Sequence, residues 1–238
     1  MEYVLETNAV TKRYRGFTAL NGLTMRIPKG SIYGFVGRNG AGKTTTIKSI
    51  VGINDITSGD IFVGGISVKE NPMECKKMIA YVPDNPDIYS TLTGAQYLNL
   101  ISDIFKVDKE TREKLITKYA TDLELFDNLN DLIANYSHGM KQKLVLISAF
   151  IHSPKLFILD EPFVGLDPKA TFVVKNAFKE FVANGGAIFF STHVLDVAEK
   201  LCNKVAIIKN GEIIKSGTMD EVKKDGSLEK VFLESENE

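Results

Sequence analysis

The chain contains 238 residues, which is enough for one large α/β domain with its own core or for two small domains. Its formal net charge is −1, and 44% of its residues are hydrophobic. Because basic residues are not in excess, the charge balance gives no indication of a surface for nucleic acid or anionic lipid. Cys75 and Cys202 are too few and too isolated to form a disulfide framework or a zinc site.

The first third of the chain is predicted to consist of short strands around one helix. Strands are predicted at Tyr3–Val10, Thr24–Ile27, Ser31–Val36, Asp60–Val63, Ile66–Val68 and Ile79–Val82. Apolar residues at helical spacing predict a helix over Thr45–Val51. Gly64-Gly65, which separates two of the strands, is a hairpin signal.

A glycine-rich loop joins the strand at Ser31–Val36 to the helix at Thr45–Val51. Its sequence is Gly37-Arg38-Asn39-Gly40-Ala41-Gly42-Lys43-Thr44, and the strand–loop–helix context is the one that a phosphate-binding loop requires. Glycines let successive backbone N–H groups point at one phosphate, and the helix N-terminus adds partial positive charge. Lys43 can reach the outer phosphates and the Thr44 hydroxyl can ligate Mg²⁺. We therefore predict that this loop, with the following Thr45, binds a nucleoside triphosphate.

Residues from about 87 to 150 are predicted to form a helical insertion. Helices are predicted from Thr93 to Phe105, over Lys109–Leu123, and from about Gly139 to His152. The first of them begins with the spacing of a capping box, Thr93 followed three residues later by Gln96. Ser153-Pro154 ends the third helix.

Strands and helices alternate again in the last third. Strands are predicted at Leu156–Leu159, Ala187–Phe190, Lys204–Ile208 and Glu212–Lys215, and a helix is predicted at Pro168–Asn184. We therefore predict a single α/β domain whose core comprises residues 1–86 and 151–238, with the helical segment at about 87–150 inserted into it.

Asp160 and Glu161 form a second candidate site, because they follow the buried strand at Leu156–Leu159. Asp160 is placed to hold Mg²⁺, directly or through water, as a phosphate-binding loop requires of a second acidic residue. Glu161 is the natural candidate to accept a proton from the attacking water. The alternative is an acidic turn that ends at Pro162, and the phosphate loop favours the catalytic interpretation.

Three further elements complete a family pattern. Tyr136-Ser137-His138-Gly139-Met140-Lys141-Gln142 opens a helix before the second site, Gly165-Leu166-Asp167-Pro168 follows that site, and Ser191-Thr192-His193 follows the next strand. In this order and spacing, nearly the whole chain resembles the ATP-binding subunit of an ABC transporter. The resemblance implies a P-loop NTPase core of ABC type with an antiparallel β subdomain and an α-helical insertion.

The resemblance also implies four nucleotide-binding residues outside the phosphate loop. Tyr14 matches the aromatic residue that stacks on adenine, although it can also be core packing. Ser137 and Gly139 match the signature motif that binds the γ-phosphate of the opposite subunit, although Ser137 can be only a helix N-cap. Asp167 matches the acidic residue of a loop that communicates between subunits, and Asp167-Pro168 is also a good helix start.

The catalytic roles are implied in the same way. Asp160 matches the metal-site aspartate, Glu161 matches the catalytic glutamate, and His193 matches the histidine that holds the γ-phosphate and the attacking water. Taken alone, His193 has the simpler interpretation of a partly buried histidine without a catalytic role. The implied activity is hydrolysis of ATP with Mg²⁺.

Two departures from the commonest family pattern point towards export. The signature reads Tyr-Ser-His-Gly-Met instead of Leu-Ser-Gly-Gly-Gln, and Asp84 stands where the family usually has Gln. An ionised Asp only accepts hydrogen bonds, so Asp84 is a candidate ligand of Mg²⁺ or of its water. The alternative is a turn residue in the Pro83–Pro86 bend. Both departures resemble bacterial subunits that serve exporters of drugs, peptides or lantibiotics.

The predicted function is an ATPase that powers a separate membrane permease and pairs head to tail with a second ATP-binding subunit, identical or closely homologous. No signal peptide is expected, and the longest apolar stretch, around Leu144–Ile151, is far shorter than the ~20 residues of a membrane helix. The subunit is therefore expected in the cytoplasm, held at the inner face of the membrane by the permease. No nucleic-acid partner is predicted.

Two rival functions remain. A soluble ABC-type protein that acts on ribosomes or DNA typically carries tandem ATP domains or a long coiled coil, and neither is present. A GTPase would need an Asn-Lys-x-Asp guanine reader, whereas the sequence has Asn203-Lys204-Val205-Ala206.

In the resembling family, a groove beside the position of Asp84 receives a short helix of the permease. The corresponding loop is Asp84–Tyr89, where Ile88 and Tyr89 are apolar groups in a polar bend. The alternative is that both residues pack on the helices of the chain itself.

Overall fold

The computed structural model describes residues 2–224 and 226–237. The strands are β1 (Tyr3–Tyr14), β2 (Phe17–Pro28), β3 (Ile32–Val36), β4 (Ser58–Val63), β5 (Ile66–Ser67), β6 (Ile79–Val82), β7 (Leu156–Asp160), β8 (Ala187–Thr192), β9 (Lys204–Lys209) and β10 (Glu212–Thr218). The helices are α1 (Lys43–Ile50), α2 (Pro72–Met78), α3 (Gly94–Ile104), α4 (Lys109–Asp122), α5 (His138–Ile151), α6 (Pro168–Ala183), α7 (Leu195–Leu201), α8 (Met219–Lys223) and α9 (Leu228–Asn237), with 3₁₀ turns at Phe126–Asn128 and Ile133–Asn135.

The strands form two sheets. The antiparallel sheet has the order β2-β1-β4-β5, and β1 and β2 form a long hairpin in which Tyr14 pairs with Phe17. The second sheet has the order β10-β9-β3-β8-β7-β6, and its strands are parallel except for the edge strand β10. Strands β3, β7 and β8 are buried along their whole length. This burial on both faces explains their continuous apolar sequences.

The register of the parallel strands brings their carboxyl ends to one edge. Val36 pairs with Thr192, and Asp160 pairs with Ser191. The segments that follow β3, β7 and β8 therefore start side by side, at the edge where open parallel sheets bind ligands.

Helices α3, α4 and α5 come from the segment that the sequence marks as an insertion. The Tyr119 ring of α4 stacks on Phe150 of α5, with ring centroids 4.6 Å apart. Phe150 also meets Phe157 of β7 at 5.0 Å, so α5 packs in the same hydrophobic core as the parallel sheet. The division of the core at residues 86 and 151 stays a prediction.

The capping box is present, since Thr93 accepts from the Gln96 N–H and the Gln96 side chain accepts from the Thr93 N–H. Helices α2, α7, α8 and α9 were not predicted; α2 and α7 contain seven residues each, too few for a helical period to be read reliably. No helix in residues 2–224 and 226–237 has the length and apolarity needed to cross a membrane.

Candidate nucleotide site

The glycine-rich loop lies between β3 and α1, and its backbone requires glycine. Gly42 has φ of 112°, and a Cβ there would lie 2.9 Å from the Ala19 carbonyl oxygen. A Cβ on Gly37 would lie 2.6 Å from the Ile208 carbonyl oxygen. The loop is therefore pressed against β2 and β9. It leads into the N-terminus of α1, where the first N–H groups of a helix have no partner within the helix.

Lys43 is buried at the first position of α1. Its Nζ donates to the carbonyl oxygens of Gly37 at 2.7 Å and Arg38 at 3.1 Å, so the loop holds the ammonium in place. Burial lowers the pKa of Lys43 from its ordinary value, and the nearby carboxylates of Glu161 and Asp160 partly oppose that shift. A bound phosphate would add further negative charge and favour the protonated form.

Asp160 ends β7 and is buried. Its Oδ2 accepts a 2.8 Å hydrogen bond from the Thr44 hydroxyl, and its Oδ1 accepts another from the Ser191 hydroxyl. The structure thus places a hydroxyl and a carboxylate oxygen next to each other beside the phosphate loop.

These oxygen donors fit a magnesium ion. Within the described ranges, no group of three or more His, Cys, Asp or Glu side chains is placed to hold a metal by itself. Mg²⁺ is usually bound by one or two carboxylates together with substrate phosphates and water. Thr44 and Asp160 meet that requirement, and Asp84 lines the same cavity.

Glu161 and His193 form a contact pair at the sheet edge. Nδ1 of His193 lies 2.7 Å from Oε1 of Glu161, so the imidazole N–H donates to the carboxylate. The Glu161 side chain is 13% exposed and that of His193 is 55% exposed. Glu161 has φ of 49°, an uncommon conformation for a residue other than glycine, and its N–H donates to the Ser191 carbonyl oxygen. Such backbone strain is frequent at functional sites.

One cavity of about 350 Å³ brings the phosphate loop together with Asp84, Asp160 and Glu161, whereas His193 does not line it. It is lined by Phe17, Ala19, Arg38, Asn39, Gly40, Gly42, Lys43, Thr44, Thr45, Asp84, Asp160 and Glu161. Phe17 and Ala19 were not predicted, because no motif marks them. A larger cavity of about 440 Å³ lies at the amino ends of β7 and β8, and none of the predicted site residues lines it. The side chains that line a cavity therefore identify the candidate site better than the volume of the cavity does.

Tyr14 lies beside this cavity without lining it. Its hydroxyl accepts a 3.3 Å hydrogen bond from the Asn54 amide, and the Lys12 ammonium lies 4.9 Å from its ring centroid. The stacking role of Tyr14 stays a prediction.

The signature residues lie outside the cavity. Ser137 caps α5 and accepts a 3.2 Å hydrogen bond from the Met140 N–H, so its N-cap role is present. Asp167 caps α6 by accepting from the Ala170 N–H at 2.8 Å, and it pairs with the Lys143 ammonium at 2.8 Å. Both contacts lower the pKa of Asp167, and the hydrogen bond from the Ala170 N–H has the larger effect.

The start of α5 touches the loop that follows Glu161. A Cβ on Gly139 would lie 2.5 Å from the Gly165 carbonyl oxygen, closer than such atoms can approach. The signature helix and this loop therefore share a backbone contact as well as the Lys143–Asp167 ion pair.

We expect Gly139→Ala to reduce ATP turnover by at least about tenfold, because the new Cβ must push away the Gly165 carbonyl and with it the loop that follows Glu161. ATP binding to the isolated chain should be unchanged. Steady-state hydrolysis and nucleotide titration test this expectation. Gly226→Ala is the matched control, since a Cβ there meets nothing closer than 3.6 Å. Unchanged turnover in Gly139→Ala would contradict the expected effect.

Comparison with known proteins connects this geometry to a family. The family model described as "ABC transporter" matches residues 20–164. The chain is 34% identical over 236 residues to the ABC-type transporter ATP-binding protein EcsA of Bacillus subtilis (strain 168), a match that covers 97% of this chain and 96% of the relative. It is 33% identical to the bacitracin transport ATP-binding protein BcrA of Enterococcus faecalis, over 99% of this chain and 79% of the relative.

A solved structure supports the same family assignment. The ATP-binding subunit of an ABC transporter matches with a TM-score of 0.93 and 32% identity, over 97% of this chain and 98% of that chain.

Proposed function

The chain belongs to the ABC transporter family of ATP-binding proteins, and from that premise we propose that it powers a separate membrane permease that exports its substrate. It is an ATP-binding subunit of the ATPase type. The observation that carries the catalytic part of the proposal is the single cavity shared by the phosphate loop, Asp160 and Glu161.

The proposed mechanism is positioning and charge neutralisation. Backbone N–H groups of the phosphate loop and the Lys43 ammonium bind the outer phosphates. Thr44 and Asp160, with Asp84 beside them, would hold Mg²⁺, which neutralises phosphate charge when bound. Glu161 accepts the proton of the attacking water on its carboxylate.

His193 orients this base. Its Nδ1 contacts Oε1 of Glu161 and fixes the carboxylate, and Oε2 is the oxygen that we propose meets the water. The imidazole is the more exposed partner of the pair, and we propose that it also contacts the γ-phosphate of the bound nucleotide.

A second subunit would complete the site. Ser137 is exposed at the start of α5, and neither it nor Gly139 lines the cavity of its own chain. We propose that both residues meet the γ-phosphate bound by a partner subunit in a head-to-tail pair. Asp167, which pairs with Lys143 of α5, would transmit the nucleotide state of one site to the other.

Export is the proposed direction. It is supported by the departures at His138, Met140 and Asp84, and by the likeness to a subunit named for bacitracin transport. Uptake of radiolabelled bacitracin by inside-out vesicles, with and without ATP, is a first test of direction once the permease has been identified. Co-sedimentation with ribosomes or DNA, and not with membranes, would contradict the permease proposal.

The permease is proposed to dock beside the loop at residues 84–89, placing the subunit at the cytoplasmic face of the membrane. Tyr89 is 63% exposed. Next to this loop along the chain, α3 borders a cleft of about 290 Å³ whose apolar wall includes Tyr97, Ile101 and Phe105. Ile88 is half-buried and packs against the core, so the alternative of internal packing holds for Ile88.

We expect Tyr89→Asp to leave folding and ATP binding unchanged and to reduce co-purification with the permease at least about tenfold, because a charge would enter an apolar interface. Phe126→Asp is the matched control, since Phe126 is also exposed on the helical segment. Ile88→Asp should instead lower the free energy of unfolding. Normal assembly by Tyr89→Asp would place the docking surface elsewhere.

A further inference from the structure

Phe17 is an exposed aromatic residue in the wall of the nucleotide cavity. It begins β2, it is 61% exposed, and it lines the cavity together with Lys43, Thr45 and Glu161. We propose that Phe17 contacts the base of the bound nucleotide, so that base recognition does not depend on Tyr14 alone. This inference rests on the proposed function, because it concerns ATP bound in the same cavity.

The backbone fixes the position of Phe17 relative to the phosphate loop. The Ala19 carbonyl oxygen is the nearest atom to a Cβ built on Gly42, at 2.9 Å. Gly211 bridges the same elements, since it accepts from the Asn21 N–H at 3.0 Å and donates to the Ala41 carbonyl oxygen at 2.9 Å. This end of β2 is therefore held against the loop that would bind the phosphates.

The alternation of a strand places Phe17 on the same face as Ala19. Residues two apart on a strand share a face, and both residues line the cavity. Ala19 is buried under the loop, whereas Phe17 extends the same wall towards solvent. A triphosphate held by Lys43 therefore has the Phe17 ring beside the path along which its ribose and base must leave the loop.

Tyr14 faces Phe17 across the hairpin but is engaged differently. The Tyr14 hydroxyl accepts a hydrogen bond from the Asn54 amide, and the Lys12 ammonium lies over the Tyr14 ring. Phe17 has no ring or cation contact of this kind among the described interactions. Phenylalanine usually lies inside a protein, and a stacked base would cover the exposed ring.

The chemistry of Phe17 separates base binding from phosphate binding. Its ring carries no charge and offers no hydrogen-bond donor to a phosphate oxygen. Stacking of a base on an aromatic ring changes affinity by roughly five- to 150-fold on alanine substitution. A residue that only supports the phosphate loop would instead affect every triphosphate alike.

The test compares two ligands on the full chain in the presence of Mg²⁺: ATP and inorganic triphosphate. For Phe17→Ala we expect the Kd for ATP to rise about tenfold while the Kd for triphosphate stays unchanged. Phe17→Tyr, which keeps the ring, should retain the affinity for ATP. Phe126→Ala removes another exposed aromatic and should change neither Kd.

An unchanged Kd for ATP in Phe17→Ala, or an equal loss for both ligands, would overturn the inference. If Phe17→Ala does not fold, Phe17→Leu keeps the apolar bulk without the ring and should show the same selective loss. Failure of the unmodified chain to bind ATP would instead contradict the proposed function.

Discussion

Replacement of Lys43 by alanine is expected to weaken ATP binding by at least about a hundredfold. Hydrogen bonds to charged groups contribute about 1.5–3 kcal/mol each, and the ammonium is the buried cation nearest to the phosphate loop. Titration of the purified chain with ATP and Mg²⁺ measures the change directly.

Lys48→Ala is the control for Lys43→Ala, since Lys48 lies in the last turn of the same helix, away from the loop. It should bind ATP normally. Thermal unfolding of both variants without nucleotide separates loss of binding from loss of folding. Unchanged ATP affinity in a folded Lys43→Ala variant would refute the phosphate-loop assignment.

Replacement of Glu161 by glutamine is expected to lower ATP turnover by at least about a hundredfold while ATP binding persists. A general base typically contributes 10²- to 10⁴-fold, and an amide cannot accept the proton of water at neutral pH. The amide oxygen can still accept from the His193 N–H, so the geometry of the pair should survive.

The same variant tests the proposed pairing of two subunits. If hydrolysis separates the pair, Glu161→Gln should accumulate as a dimer in ATP during size-exclusion chromatography. Glu110→Gln, an exposed glutamate on α4, should hydrolyse ATP normally and remain a monomer under those conditions. Near-normal turnover by Glu161→Gln would refute the assignment of the base.

Local chemistry in the sequence determined the family and most of the fold. The glycine spacing before Lys43, the apolar run before Asp160 and the capping box at Thr93 each depend on residues close together in the chain. The ABC-type α/β fold that the family resemblance implied is confirmed by the family match and by the matching solved structure. Predicted strands lie within or next to observed ones because buried parallel strands leave continuous apolar runs.

Only the tertiary structure decided which residues share the cavity. Phe17 and Ala19 carry no motif, and they reach the phosphate loop because Gly211 bridges β2 to that loop. Ile88 and Tyr89 are both apolar residues in the same bend, but the fold packs a half-buried Ile88 against the core and exposes Tyr89. Such differences depend on contacts between segments far apart in the chain, which local pattern and spacing do not encode.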